Sequence, residues 1–147
     1  MIRFILQRNK KLSAETADRI VMVVLEQSGR FQVEPRLLLA LMAQGSNFNP
    51  KFRSMYGEMG LGGLLPNQVQ LLKIKDPYSI EENIRGMALI LRQLEQMWPD
   101  HPYKTEFVLI AYKRGVHFVQ AYLQQGEPFP DPLLYYVEEV KQFYYGL

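Results

Sequence analysis

Residues 37–50 read LLLALMAQGSNFNP. Seven apolar side chains in succession, Leu37 to Ala43, leave no polar face, so the run predicts a helix buried all round rather than an amphipathic surface helix. Pro35 stands at its first position, where the missing N–H of proline is no loss. Gly45 falls at its end, where a left-handed C-cap is the ordinary reason for a glycine. Asn49-Pro50 and the glycines at 57, 60, 62 and 63 then predict a structured loop from Asn47 to Pro66.

The rest of the chain reads outward from this helix as further helices. Ser13 is an N-cap with Glu15 in the favourable first turn. Ala17, Ile20, Val21, Val24, Leu25 and Ser28 follow at helical spacing until Gly29 ends the run. A short helix passes through Val69 and Leu72. Ser79 with Glu82 reads as a capping box opening the longest helix, striped by Ile84, Met87, Ala88, Leu91, Leu94 and Trp98 and ended by Pro99. Tyr103 to Tyr112, Val116 to Gln124 and Leu133 to Phe143 supply three more, separated by Arg114-Gly115 and by a proline-rich turn. No alternating strand pattern of useful length occurs. The expectation is an all-α, mostly helical single compact domain over 1–147, built of about seven short helices.

Composition narrows the function classes. At 147 residues and 48% hydrophobic content, a core forms without staples. The absence of cysteine excludes a disulfide framework, thiolate metal sites and thiol nucleophiles. Seventeen basic against fifteen acidic residues give a net charge of +2, too even for affinity resting on phosphate neutralisation, so no nucleic-acid partner is expected. Arg3, Arg8, Lys10 and Lys11 cluster at the start, but the apolar stretch Phe4 to Leu6 is far shorter than a signal-peptide core; neither a leader nor a membrane span is expected in the chain as written. His101 and His117 have no paired ligand spacing, so no metal site and no cofactor are expected.

Five ordered motifs carry a resemblance. LLLALMAQGSNFNP, GEMGLGGLLP, DPYSIEENIRG, AYKRG and YYVEEV, with Ser54 between the first two, resemble the lysozyme-like domain of soluble lytic transglycosylases, and the resemblance covers about residues 13–145. The resemblance implies a goose-lysozyme-like helical fold. It also implies a groove for the alternating N-acetylglucosamine and N-acetylmuramic acid strands of peptidoglycan, and a place in the cell envelope, periplasm or extracellular space for a parent protein with a leader. Sugar-facing positions are implied at Ser46, Ser54, Gly60, Leu61, Gly63, Tyr112, Lys113 and Tyr136.

Three departures fall in that groove. The family's Glu-Ser-x-Phe-x-Pro keeps Ser46, Phe48 and Pro50, but Gly45 holds the place of the glutamate. In the family that carboxyl group protonates the glycosidic oxygen and then takes the proton of the sugar's own hydroxyl, closing a 1,6-anhydro ring. Gly63 replaces the sugar-contacting glutamine of the glycine loop, and Lys113 replaces the asparagine of Ala-Tyr-Asn-x-Gly. Gly45 reads as natural divergence or as an introduced substitution, and the parallel changes at 63 and 113 favour divergence.

Glu58 is the carboxylate inside the motif loop. Its bland reading is a solvated surface glutamate; its sharp reading is a substitute acid, which requires a partly apolar setting. Tyr112, Tyr122, Tyr135, Tyr136, Phe143 and Tyr144 read mainly as core at helical spacing. Tyr136 is the exception, since the resemblance turns its hydroxyl toward the catalytic centre. Two functions follow: an inactive or strongly impaired module that binds peptidoglycan-type glycan or a protein partner, or a glycan-cleaving lyase with a relocated acid such as Glu58.

Overall fold

The computed structural model describes residues 1–147. It is all α-helical, with eight helices: α1 (Ile2–Arg8), α2 (Ala14–Phe31), α3 (Pro35–Gly45), α4 (Pro66–Leu71), α5 (Ile80–Glu95), α6 (Lys104–Arg114), α7 (Val116–Gln125) and α8 (Asp131–Gly146). None is long and apolar enough to cross a membrane.

The all-apolar run becomes the centre of the molecule. Leu38 through Ala43 are all buried, with α8 packed on one side of α3 and α2 on the other. Across α2 lies α5, whose stripe Ile84, Met87, Ala88, Leu91 and Leu94 is buried as its spacing predicts. One contiguous cluster of 32 buried apolar residues joins them.

The caps work as read, with one difference. Ser13 Oγ accepts the Thr16 N–H at 3.0 Å, and Ser79 Oγ accepts the Glu82 N–H at 3.3 Å. The Glu82 carboxylate does not return to the cap, however; it accepts the N–H groups of Lys75 and Asp76 at 2.9 and 3.1 Å, tying the preceding turn to α5.

Two helix ends differ from the sequence expectation. α2 runs through Gly29 to Phe31 and ends at Gln32, which takes the left-handed conformation instead. Burial of the α2 face against α5 outweighs the roughly 1 kcal/mol that a helical glycine costs. That makes α2, with 18 residues, longer than α5, with 16. α5 stops at Glu95, four residues before Pro99, and Trp98 turns back to pack on Phe107 with ring centroids 5.6 Å apart.

α1 is the eighth helix, unforeseen because its seven residues lack a side-chain cap and are too few to hold a helix in isolation. Tertiary contacts hold it. Ile5 is fully buried, and Phe4 meets Phe48 edge-on at 6.0 Å and Phe143 at 6.2 Å. Beyond it, Asn9 Nδ2 donates to Asn47 O at 3.0 Å while Asn47 Nδ2 donates to Arg8 O at 3.1 Å. This clasp secures the turn after α3, where Asn47 and Phe48 both have positive φ.

Candidate functional site

A cleft of about 290 Å³ opens where the end of α3, the glycine loop, the start of α4 and the α6–α7 junction converge. Its wall brings together Gly45, Glu58, Gly63, Tyr112, Lys113 and Tyr136, residues up to 91 positions apart in the chain.

Gly45 is the last residue of α3, and its φ is not in the left-handed region; Ser46 caps the helix at φ −112°. The C-cap reading of Gly45 is therefore corrected. No conformational demand calls for glycine there. A Cβ added at Gly45 meets nothing within 4 Å, so the position faces open space in the cleft and a side chain can start there without a clash.

The glycine loop is held from behind by one buried amide. Asn83 on α5, 1% exposed, accepts the Gly62 N–H at 2.7 Å and donates to Met59 O at 3.0 Å and Pro77 O at 2.7 Å. Met59 and Leu64 exchange a pair of backbone hydrogen bonds, both 2.9 Å. Gly62 has no room for a side chain, since a Cβ would sit 2.1 Å from Met87 Cγ and 2.9 Å from the Tyr112 hydroxyl.

Four expected sugar-facing residues belong to this support and not to the cleft wall. Ser46 is buried, its Oγ 2.8 Å from Leu61 O and 3.1 Å from Met42 O. Gly60 and Leu61 are buried in the loop's underside. Ser54 Oγ accepts the N–H groups of Tyr56 and Glu58 at 3.2 and 3.1 Å, shaping the turn that presents Glu58.

Glu58 is half-buried rather than freely solvated. Its Oε2 lies 3.6 Å from where a Cβ on Gly63 would stand, so the carboxylate folds over the residue that has lost its side chain. Two phenols sense it. Burial, then Tyr136, then Glu58 push the Tyr112 hydroxyl pKa upward; burial, then Glu58 do the same for Tyr136. Both hydroxyls stay protonated and donate: Tyr112 to Gly62 O at 2.8 Å, Tyr136 to Leu109 O at 3.1 Å. Tyr112 thus links α6 to the glycine loop, and Tyr136 spends its proton on α6.

The remaining wall is basic and amide-rich. Lys113 Nζ sits 5.0 Å over the Tyr136 ring, and Arg114 Cζ 4.5 Å over Phe118. Gln44, Asn67 and Gln68 also line the cleft and were missed in the sequence. The signal for Gln44 was present: Leu41, Gln44 and Gly45 share one helix face at i, i+3 and i+4. Asn67 and Gln68 had none beyond following Pro66, and Gln68 also closes the turn by accepting the Leu65 N–H at 2.9 Å.

Comparison with known proteins agrees with this architecture. The transglycosylase SLT domain model matches residues 22–131. The chain is 30% identical over 90 residues to a transglycosylase of Enterobacteria phage PRD1, a match covering 61% of this chain and 32% of that protein. It is 37% identical over 87 residues to membrane-bound lytic murein transglycosylase F of Yersinia enterocolitica, covering 57% of this chain and 18% of that protein. The crystal structure of the 70 kDa soluble lytic transglycosylase from Escherichia coli superposes with a TM-score of 0.73 at 18% identity, covering 97% of this chain and 27% of that one. The chain thus spans about a third or less of the length of these relatives. On the family match, which takes in every cleft residue but Tyr136, the chain belongs to the transglycosylase SLT domain family.

Proposed function

We propose that residues 1–147 act as one peptidoglycan-recognising domain of this family whose power to cleave the glycan is lost or strongly impaired. The observation that carries the reading is Gly45, which lines the cleft with a helical backbone and no side chain in front of it. The family's lyase reaction asks one carboxyl group to protonate the leaving oxygen and then to accept the proton of the attacking hydroxyl. General acid–base participation is worth about 10²- to 10⁴-fold in rate, and glycine supplies none of it.

The same cleft retains what binding needs. Gln44, Asn67 and Gln68 offer amides to hydroxyl and N-acetyl groups, and Lys113 and Arg114 line the same cleft with positive charge of the sign that carboxylates of peptidoglycan stem peptides would meet. Loss of the glutamine and asparagine equivalents at 63 and 113 removes about 1 kcal/mol per neutral hydrogen bond, so affinity is modest and a protein partner is the other ligand class for this surface. The envelope is the compartment that supplies such a strand.

A second reading is favoured by the position of Glu58 in the same cleft as Gly45: a lyase with this carboxylate as relocated acid. One experiment separates the two. Purified peptidoglycan is digested with the natural chain and with Gly45→Glu, and 1,6-anhydro muropeptides are read by mass spectrometry. Products from Gly45→Glu alone support the binding reading, because an intact groove then lacks only its acid. Products from the natural chain overturn it, and their loss in Glu58→Gln assigns the acid to Glu58. Silence from both, together with no co-sedimentation on peptidoglycan, also overturns it and leaves a scaffold for a protein partner.

A further inference from the structure

Two segments distant in sequence are clasped together beside the cleft and share an unusual charge. Residues 1–14 carry Arg3, Arg8, Lys10 and Lys11, and residues 44–57 carry Lys51 and Arg53; neither segment contains Asp or Glu. They hold six of the seventeen basic residues and none of the fifteen acidic ones. The remainder of the chain is therefore acidic on balance, and the molecule is electrically polarised despite its small net charge.

All six cations are exposed, and none of them takes part in the chain's ion pairs, Arg19–Glu81, Lys141–Glu106 and Lys141–Glu138. The Asn9–Asn47 clasp joins the two segments. Along it runs a depression of about 500 Å³ with Arg8, Lys10 and Lys11 on one bank and Asn47 and Asn49 on the other, and no apolar or acidic side chain. Lys51 continues directly from that rim, its N–H held by Asn49 Oδ1 at 3.0 Å. Past Arg53, a turn closed by Gly57 N–H on Ser54 O at 3.1 Å presents Met55 and Tyr56, 91% and 79% exposed. Five residues lie between Asn49 and Met55, a reach of at most about 20 Å.

From this juxtaposition we infer that the face seats on an anionic lipid surface, its cations against headgroup phosphates and Met55 and Tyr56 entering the headgroup layer. Exposed cations that form no ion pair are attracted to such a surface within a Debye length. A polyanion without aromatic groups is bound by charge alone and gains nothing from the exposed thioether and phenol of the turn after Arg53. An interface does, because an amphipathic tyrosine suits a boundary with one apolar and one wet side. No helix is long and apolar enough to cross a membrane, so the inference concerns this face alone. Since Ser46 and Asn47 line the depression while Gln44 and Gly45 line the cleft, docking sets the cleft beside the bilayer. The inference does not depend on what the cleft binds.

Sedimentation of the full chain with vesicles tests it. Vesicles of phosphatidylcholine mixed with phosphatidylglycerol are expected to pellet the protein at low salt and to release it at high salt, while pure phosphatidylcholine vesicles leave it in solution. Each Lys→Ala change at Lys10, Lys11 or Lys51 lowers partitioning about fivefold, about 1 kcal/mol per cation near the surface. The exposed Lys73→Ala and Lys75→Ala, outside the patch, leave it unchanged. Met55→Ser/Tyr56→Ser weakens partitioning without altering its salt dependence. Equal pelleting on pure phosphatidylcholine, or no loss in the triple lysine variant with helical circular dichroism intact, overturns the inference. So does full retention by Met55→Ser/Tyr56→Ser with soluble polyphosphate binding as tightly as vesicles, which means a polyanion site only.

Discussion

Asn83→Ala probes the support of the cleft directly. The amide makes three hydrogen bonds, to Gly62 N–H, Met59 O and Pro77 O, from a position 1% exposed. A typical intramolecular hydrogen bond contributes about 1 kcal/mol net, and a buried group left without a partner costs about 1 to 3 kcal/mol. Removing the amide strands the Gly62 N–H and the Pro77 carbonyl, while Met59 O loses one of two bonds and keeps the Leu64 N–H. The expected loss is about 3 to 5 kcal/mol, against which the small cavity of the lost amide adds little. At about 2 to 4 °C per kcal/mol for a chain near this size, the thermal midpoint falls by roughly 6 to 20 °C. Urea unfolding followed by Trp98 fluorescence measures the loss, since Trp98 is the only tryptophan and packs against Phe107. Asn83→Asp is the control: it keeps an acceptor for Gly62 N–H but sets carboxylate oxygens against the Met59 and Pro77 carbonyls, so it is expected to be no more stable than alanine. A loss under about 1 kcal/mol for alanine, or an aspartate variant as stable as the natural chain, refutes the clamp.

Gly60→Ala is expected to cost about 3 kcal/mol or more by the same titration, because its Cβ would stand 2.2 Å from Asn83 Nδ2 and 2.3 Å from Pro77 O at φ +74°. Gly45→Ala goes the other way, gaining up to about 1 kcal/mol in the urea midpoint, and a destabilisation would show that the site at the end of α3 is not open. Tyr112→Phe removes the bond to Gly62 O and should cost about 1 to 2 kcal/mol, read as a lower thermal midpoint. Burial pushes the Glu106 carboxyl up, but hydrogen bonds from Lys141 and its own N–H and the Lys141 charge outweigh that and leave its pKa below 4.5. A pKa depressed on folding gives stability that is present above the unfolded value and lost as pH falls through the folded one. The stability advantage over Lys141→Met is therefore expected to shrink as pH is lowered from 7 to 3 in parallel urea titrations, and a constant gap would contradict it.

The fold was legible wherever local pattern and tertiary demand agree. The apolar run of α3, the serine caps of α2 and α5 and the glycine loop between Asn47 and Pro66 each have one physical reading, and the structure follows them. Pattern failed where contacts between distant residues decide the outcome. α1 exists because Phe4 finds Phe48 and Phe143, and Gly29 stays helical because its neighbours pack on α5. In the site, motif spacing brought Gly45, Glu58, Gly63, Tyr112, Lys113 and Tyr136 to one wall. It did not separate wall from support, because a serine such as Ser46 looks the same in sequence whether it meets solvent or bonds Leu61 O. Asn83 escaped notice for a related reason. A lone asparagine on a helix has no periodicity to betray that three loop groups converge on it.

The Phe4–Phe48 and Asn9–Asn47 contacts bear on where this unit is to be cut for expression. Family similarity begins at residue 22, and a fragment trimmed to that boundary discards α1 whole. Phe48, fully buried in the intact chain, then presents a ring face to water, and Asn47 and Phe48 keep their left-handed backbone with the outer brace gone. Since the turn they form follows Gly45 directly, such a fragment carries its family signature but not the geometry of its own cleft, and negative results obtained with it would describe the truncation.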